Sequence, residues 1–79
     1  MGVDGTVREW HDEEGWGVVD AEETPGGCWV HFSAVGDGDG YRELMAGKQV
    51  LLEFEPGEQD GYAYRATRVR VLDEEGLGA

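Results

Sequence analysis

The 79-residue sequence is poor in cysteine, proline and basic residues, with one cysteine, two prolines and six lysines and arginines against eighteen acids. The single cysteine, Cys28, excludes an internal disulfide and a disulfide-stapled secreted scaffold. The net charge of −12 argues against a membrane-surface protein and a generic duplex-DNA binder, because both need clustered cations. No segment approaches the roughly 20 apolar residues of a membrane span, and no signal-peptide pattern is visible, so we predict a cytoplasmic protein.

Glycine and aromatic residues are plentiful by comparison. Fourteen glycines and the two prolines divide the chain into short segments rich in β-branched and aromatic residues, which are typical of strands. The pattern predicts a small all-β barrel or sandwich. The predicted strands are Gly5–Trp10, Gly15–Asp20, Cys28–Phe32, Gln49–Glu55 and Tyr62–Leu72.

Turn residues fill the connections between these strands. Pro56–Gly61 predicts a hairpin loop, and the longest connection, Ser33–Lys48, allows one helical turn over Tyr41–Ala46. We expect residues 1–72 to form one domain and the acidic, glycine-rich residues 73–79 to form a flexible tail.

Residue parity predicts which side chains reach the core, because successive side chains of a strand point to opposite faces. In the third predicted strand, the small apolar residues Cys28 and Val30 suit the core. Trp29 and His31 are then directed outward. In the second predicted strand, an inward Val19 places the residues of opposite parity on the outer face, and these include Trp16 and Val18.

Large aromatic side chains on one outer surface call for a function. If the two strands are neighbours, Trp16, Trp29 and His31 share an exposed face. Such a face favours a stacking platform for unpaired bases, where each base contributes about 1–3 kcal/mol. Gly15 and Gly17 fit this interpretation because glycines let a ligand approach the backbone. The alternative is that both tryptophans belong to the core.

The last two predicted strands also carry a core pattern. The inward set of the fourth strand is Val50, Leu52 and Phe54. In the fifth strand Val69 and Val71 are predicted to point inward, but Arg65 has the same parity. A β-bulge before Val69 would reconcile these assignments.

Several motifs together resemble the cold-shock domain. Glu14–Val19 is similar to the family motif K-G-F-G-F-I, and Cys28–Phe32 is similar to V-F-V-H-F. Gly5–His11, Gly40–Leu44 and Ala66–Val69 resemble the family's opening strand, G-F-x-x-L loop and closing strand. The resemblance covers nearly the whole chain. It implies a five-stranded antiparallel OB-fold Greek-key barrel that binds single-stranded RNA or DNA.

The resemblance also implies roles for individual residues. Arg8 stands where the family keeps a phosphate-facing lysine, and Trp10 is implied as a flanking aromatic. The residues with implied base-stacking roles are Trp16, Trp29, His31, Phe32 and Tyr41.

Three residues depart from the family pattern. Glu9 replaces a surface tryptophan, Val18 replaces a stacking phenylalanine, and Glu14 replaces a lysine. Losing two stacking partners would cost roughly 2–6 kcal/mol of binding if they acted independently. Repulsion between the added acids and phosphates would weaken binding further at low salt.

The cations admit two interpretations. Arg8 lies on the first predicted strand, and Arg65, Arg68 and Arg70 lie on the last. They either make the potential near the aromatic surface less negative or pair with surface acids, each pair contributing about 0–1 kcal/mol.

Metal binding and catalysis have little support in the sequence. Cys28 and His31 form a C-x-x-H string, but positions i and i+3 of a strand face opposite ways and zinc needs converging ligands. Asp37–Gly40 fails the calcium-loop pattern at its later positions. His11, in a turn beside an acid, is interpreted as incidental. We therefore expect no metal, no cofactor, no catalytic residues and no enzyme activity.

The sequence as a whole favours a single-stranded nucleic-acid-binding protein acting as an RNA chaperone or a regulator of transcription or translation. The alternative is an acidic OB-fold protein-interaction module, with a basic protein partner and weak or lost nucleic-acid binding. No membrane partner is expected, and the chain is expected to be a monomer or a homodimer.

Overall fold

The computed structural model describes residues 2–36 and 44–72, which form five strands and one short 3₁₀ helix. The 3₁₀ helix, Phe32–Ala34, directly follows the third strand. The strands are β1 (Val3–His11), β2 (Trp16–Asp20), β3 (Cys28–His31), β4 (Gln49–Gln59) and β5 (Tyr62–Val71). They close into a barrel in the order β1-β2-β3-β5-β4, which confirms the all-β barrel expected from the sequence.

Two sequence predictions concern residues that lie partly or wholly outside the described ranges. The helical turn predicted at Tyr41–Ala46 lies half outside the described residues, and its described half, residues 44–46, contains no helix. The predicted tail, residues 73–79, lies entirely outside the described residues. Within the ranges described above, no helix is long and apolar enough to cross a membrane.

One strand pair runs parallel. Cys28 and Trp29 of β3 pair in parallel with Tyr64 and Arg65 of β5, whereas the other four pairings are antiparallel. A closed ring with an odd number of strands cannot reverse direction at every contact, so at least one pairing must be parallel. The prediction of a wholly antiparallel barrel was therefore wrong in this one contact.

The core fills the barrel interior with small aliphatic side chains. Val19, Cys28 and Val30 are fully buried in it, as their parity predicted. Val50 and Leu52 of β4 are also fully buried. Partly buried side chains that close over this cluster are Val3, Trp10, Ala21, Phe54, Tyr64, Ala66 and Val71.

A β-bulge in β5 resolves the parity conflict of the last strand. Two adjacent residues of β4 pair with Ala66 and Arg68, so Thr67 is the extra residue. The bulge lets Ala66 and Val69 both face the core while Arg65 points outward. The bulge predicted before Val69 is confirmed.

The β4–β5 hairpin is tighter than predicted. β4 continues to Gln59, and Asp60 and Gly61 alone make the turn, with φ of 52° and 89°. Positive φ at both positions matches the twist of the paired strands. β1 pairs with β4 only over Gln49–Leu52, so Pro56 lies beyond that ladder. A proline at this position therefore removes no hydrogen bond between β1 and β4. The predicted loop over Pro56–Gly61 was too long.

Candidate nucleic-acid interface

Five rings form a continuous surface across the first three strands and the 3₁₀ helix. We call them the aromatic face: His11, Trp16, Trp29, His31 and Phe32. In that order, successive ring centroids are 4.3, 6.4, 5.9 and 4.6 Å apart, and neighbouring ring planes differ by 19–32°. Rings this close and this nearly parallel present one connected apolar area.

Strand register creates this surface. β2 and β3 pair so that Trp16 lies opposite His31 and Val18 lies opposite Trp29. The two tryptophans are half-buried, His31 is exposed, and Phe32 beyond the strand end is 44% exposed. The outward direction predicted for Trp16, Trp29 and His31 is confirmed, and the alternative with both tryptophans in the core is wrong.

His31 is fixed at the end of β3 by its neighbour. Its Nδ1 accepts a hydrogen bond from the backbone N–H of Ser33 at 3.2 Å and lies 2.8 Å from the Ser33 hydroxyl. Because an amide N–H can only donate, Nδ1 is the acceptor, and a neutral His31 ring carries its hydrogen on Nε2. The bond therefore sets both the orientation and the tautomer of this ring.

His11 belongs to the aromatic face although the sequence interpretation treated it as incidental. It pairs directly with Trp16 across the β1–β2 hairpin, and their ring centroids are only 4.3 Å apart. The two residues flank a four-residue turn, residues 12–15, and residues that flank a tight turn face each other. That spacing is the sequence signal that could have identified His11.

The two glycines beside Trp16 make room for the protein's own rings. A Cβ on Gly15 would stand 2.7 Å from the Phe32 ring, and a Cβ on Gly17 would stand 2.3 Å from the Trp10 ring. The interpretation that these glycines admit a ligand to the backbone is replaced by this packing role. Trp10 lies against Gly17 and the core. Its implied part in nucleic-acid binding stays a prediction.

Val18 is fully buried, although its parity directs it outward. Gly27 lies close to both Val18 and the end of the Arg8 side chain. A Cβ on Gly27 would stand 2.9 Å from a Val18 methyl carbon and 3.0 Å from Nη2 of Arg8. The guanidinium of Arg8 therefore lies on the same side of the sheet as Val18. Arg8 can lie there because it is the bulged residue where the β1–β2 register shifts. Val18 therefore points outward as predicted, but neighbouring segments keep it from solvent.

Arg8 is held by an ion pair at the border of the aromatic face. Its Nη2 and Nε lie 2.6 and 3.0 Å from the two carboxylate oxygens of Asp20, and Nη2 also donates to the Gly26 carbonyl at 3.3 Å. The hydrogen bond to Asp20 raises the pKa of Arg8. On β5, Arg65 also pairs with an acid, and its Nε and Nη2 both donate to Oε2 of Glu55. Both arginines thus follow the interpretation that cations pair with surface acids.

The two acids that depart from the family pattern touch the aromatic face. Glu14 Oε1 accepts a hydrogen bond from Nε1 of Trp16 at 2.8 Å. Glu9 Oε2 lies 3.5 Å from Nε2 of His11. These carboxylates therefore border the Trp16 and His11 rings.

Cys28 and His31 do not converge on a common point. Cys28 is fully buried in the core, and burial raises the pKa of its thiol to about 12, whereas His31 is exposed on the outer surface. In the described part of the chain, no group of three or more histidine, cysteine or acidic side chains could hold a metal ion.

Two further observations complete the site. Tyr41, implied as a stacking residue, lies outside the described residues. The indole N–H of Trp29 is buried, and no hydrogen-bond partner for it exists among the described residues.

Comparison with known proteins supplies the family. No family model matches the chain. The chain is 35% identical to a cold shock-like protein of Aquifex aeolicus over 94% of this chain and the whole of the relative. It is 32% identical to the major cold shock protein of Micrococcus luteus over 82% of this chain and 96% of the relative. It is 38% identical to the major cold shock protein CspA of Bacillus cereus over 75% of this chain and 85% of the relative. The motifs, the five-stranded barrel and these identities together place the chain in the cold-shock protein family.

Proposed function

We propose that this protein binds single-stranded RNA or DNA by stacking unpaired bases on the aromatic face. The observation that carries the proposal is the continuity of the five rings, each no more than 6.4 Å from the next. Every base has a flat π-surface, so a connected row of rings accommodates successive bases of one strand. A binding protein acting as an RNA chaperone or a regulator of transcription or translation is the role that the family relationship supports.

The charge distribution supports a binding mode with few phosphate contacts. Arg8 is engaged by Asp20, and Arg65, which pairs in register with Trp29, is engaged by Glu55. Two carboxylates, Glu14 and Glu9, border the rings themselves. Affinity then depends on stacking, which salt does not screen, rather than on counterion release. A shallow dependence of affinity on salt concentration follows.

The proposal is tested by titrating the protein at low salt with a mixed-sequence single strand and with the duplex of the same sequence. We expect the single strand to quench tryptophan fluorescence with a micromolar or lower dissociation constant. The duplex should bind much more weakly, because its bases are already stacked on one another. No quenching at high micromolar single strand would contradict the proposal and favour the protein-interaction alternative.

Releasing Arg8 from its ion pair should strengthen binding. Asp20→Ala removes the carboxylate that holds the guanidinium, so Arg8 becomes free to contact a phosphate. We expect an increase in affinity of about fivefold at low salt, equivalent to roughly 1 kcal/mol. The slope of log affinity against log salt should steepen by about 0.7, the value for one phosphate contact with a single strand.

Glu22→Ala is the matched control for this experiment, because Glu22 is an exposed acid close to Asp20 in sequence. It makes the same change in net charge without releasing Arg8. Equal gains in affinity for both variants, with no change in salt slope, would show that only net charge matters.

A further inference from the structure

We propose that Glu14 gives the aromatic face a preference for guanine over thymine or uracil. The inference rests on the proposed function and concerns which bases that same face selects. Its starting point is the hydrogen bond of 2.8 Å between the Glu14 carboxylate and the indole N–H of Trp16.

The turn before β2 positions this carboxylate. The backbone N–H groups of Glu14 and Gly15 both donate to the carbonyl of His11, at 3.0 and 2.8 Å. Glu14 is therefore presented from a closed hairpin turn at the strand end, and its side chain is exposed. The bond to Trp16 then fixes the direction of the carboxylate.

The geometry places an acceptor at the edge of the stacking surface. An indole N–H points outward in the plane of its ring, so its acceptor lies beside the ring and not over a face of it. A base stacked on Trp16 lies parallel to the indole at a contact distance of about 3.5–4.0 Å. The edge of the stacked base then lies next to the Glu14 carboxylate. After the bond to Trp16, both oxygens of this carboxylate can still accept hydrogen bonds.

Base identity follows from hydrogen-bonding chemistry. An ionised carboxylate accepts hydrogen bonds and donates none. Guanine offers it two adjacent donors, N1–H and the 2-amino group, whereas thymine and uracil offer one N–H between two carbonyl oxygens that repel it. Glu9, with an oxygen 3.5 Å from Nε2 of His11, adds negative charge on the same side of the face. Guanine is the base that this edge favours most.

The test compares three seven-nucleotide single strands at low salt: heptathymidine, and the same strand with two non-adjacent guanines or two hypoxanthines. Hypoxanthine keeps N1–H but lacks the 2-amino group. For the unmodified protein we expect the guanine strand to bind at least about threefold more tightly than heptathymidine, with the hypoxanthine strand between them.

Glu14→Gln is the decisive variant, because its amide oxygen can still accept from Trp16 while its NH₂ group can donate to thymine carbonyls. We expect the ratio of guanine-strand to thymine-strand affinity to fall to about one or below. Glu13→Gln, at an exposed neighbour in the same turn, makes the same charge change and should leave the ratio unaltered. Thermal unfolding confirms that each variant is folded.

The outcomes separate the two proposals. Binding of all three strands with equal affinity, or an unaltered ratio in Glu14→Gln, overturns the assignment to Glu14 and leaves stacking on the aromatic face intact. Failure of all three strands to bind the unmodified protein overturns both proposals.

Discussion

Replacing Trp29 with alanine is expected to weaken the binding of a single-stranded oligonucleotide by roughly 5- to 150-fold. This range corresponds to the loss of one base–aromatic stack, about 1–3 kcal/mol. Trp29 lies in the middle of the aromatic face, within 6.4 Å of the Trp16 ring and 5.9 Å of the His31 ring. Its removal therefore divides the surface in two, besides deleting a ring. Anisotropy of a labelled oligonucleotide measures the affinity without depending on the deleted fluorophore.

Two controls make this result specific. Trp29→Phe keeps an aromatic ring at this position, so it should retain most of the affinity. Met45→Ala truncates an apolar side chain that is 63% exposed and not part of the aromatic face, and binding should be unaffected. Unchanged affinity in a folded Trp29→Ala variant would contradict the stacking role.

Replacing Gly17 with alanine is expected to lower the free energy of unfolding by about 1–3 kcal/mol or more. The new Cβ would stand 2.4 Å from the carbonyl oxygen of Glu9 and 2.3 Å from the Trp10 ring. The carbonyl belongs to the paired strand β1 and cannot move without breaking the β1–β2 ladder. Urea unfolding measures the loss, and a drop of several degrees in Tm should accompany each kcal/mol.

Gly57→Ala is the matched control for Gly17→Ala. A Cβ at Gly57 would meet nothing closer than Nε of Arg65 at 3.8 Å, an ordinary contact. The stability of this variant should lie within about 0.5 kcal/mol of the unmodified protein. Equal stability of the two variants would show that the β1–β2 contact can relax, contrary to the packing described above.

Three of the acidic residues make specific contacts at or near the aromatic face. The overall charge of −12 describes the whole chain, but three acids act directly at the aromatic face and its border. Asp20 holds Arg8 in an ion pair, whereas Glu14 and Glu9 approach the rings themselves. These acids therefore do more than add net charge, because each has a specific partner: Arg8 for Asp20, Trp16 for Glu14 and His11 for Glu9.

Strand parity was predictable wherever a strand contained a clear core pattern. Cys28 and Val30 are buried while Trp29 and His31 face outward, as the alternation required. The bulge before Val69 followed from the same rule, since no regular strand could hide the valine and expose Arg65. These predictions succeeded because alternation follows from the covalent backbone of an extended chain.

The burial of outward-pointing side chains and the contacts between distant segments were not predictable in the same way. Val18 points outward as its parity required, but it is buried because Arg8 and the segment at Gly27 lie over it. Gly15 and Gly17 were interpreted as space for a ligand, yet Phe32 and the core-packed Trp10 fill that space. Each outcome depends on a residue from another strand or turn.

By itself, the sequence determined the strand content, the direction of the side chains in β3 and the bulge in β5. It also identified four members of the aromatic face, three from strand parity and Phe32 from the family resemblance. Only the tertiary structure decided that β3 and β5 run parallel, that His11 joins the rings, and that Asp20 holds Arg8. The physical reason is the range of the interactions. The direction of a side chain is set within a few residues of the backbone, whereas closure of an odd-stranded barrel and the choice of ionic partner depend on which distant segments meet.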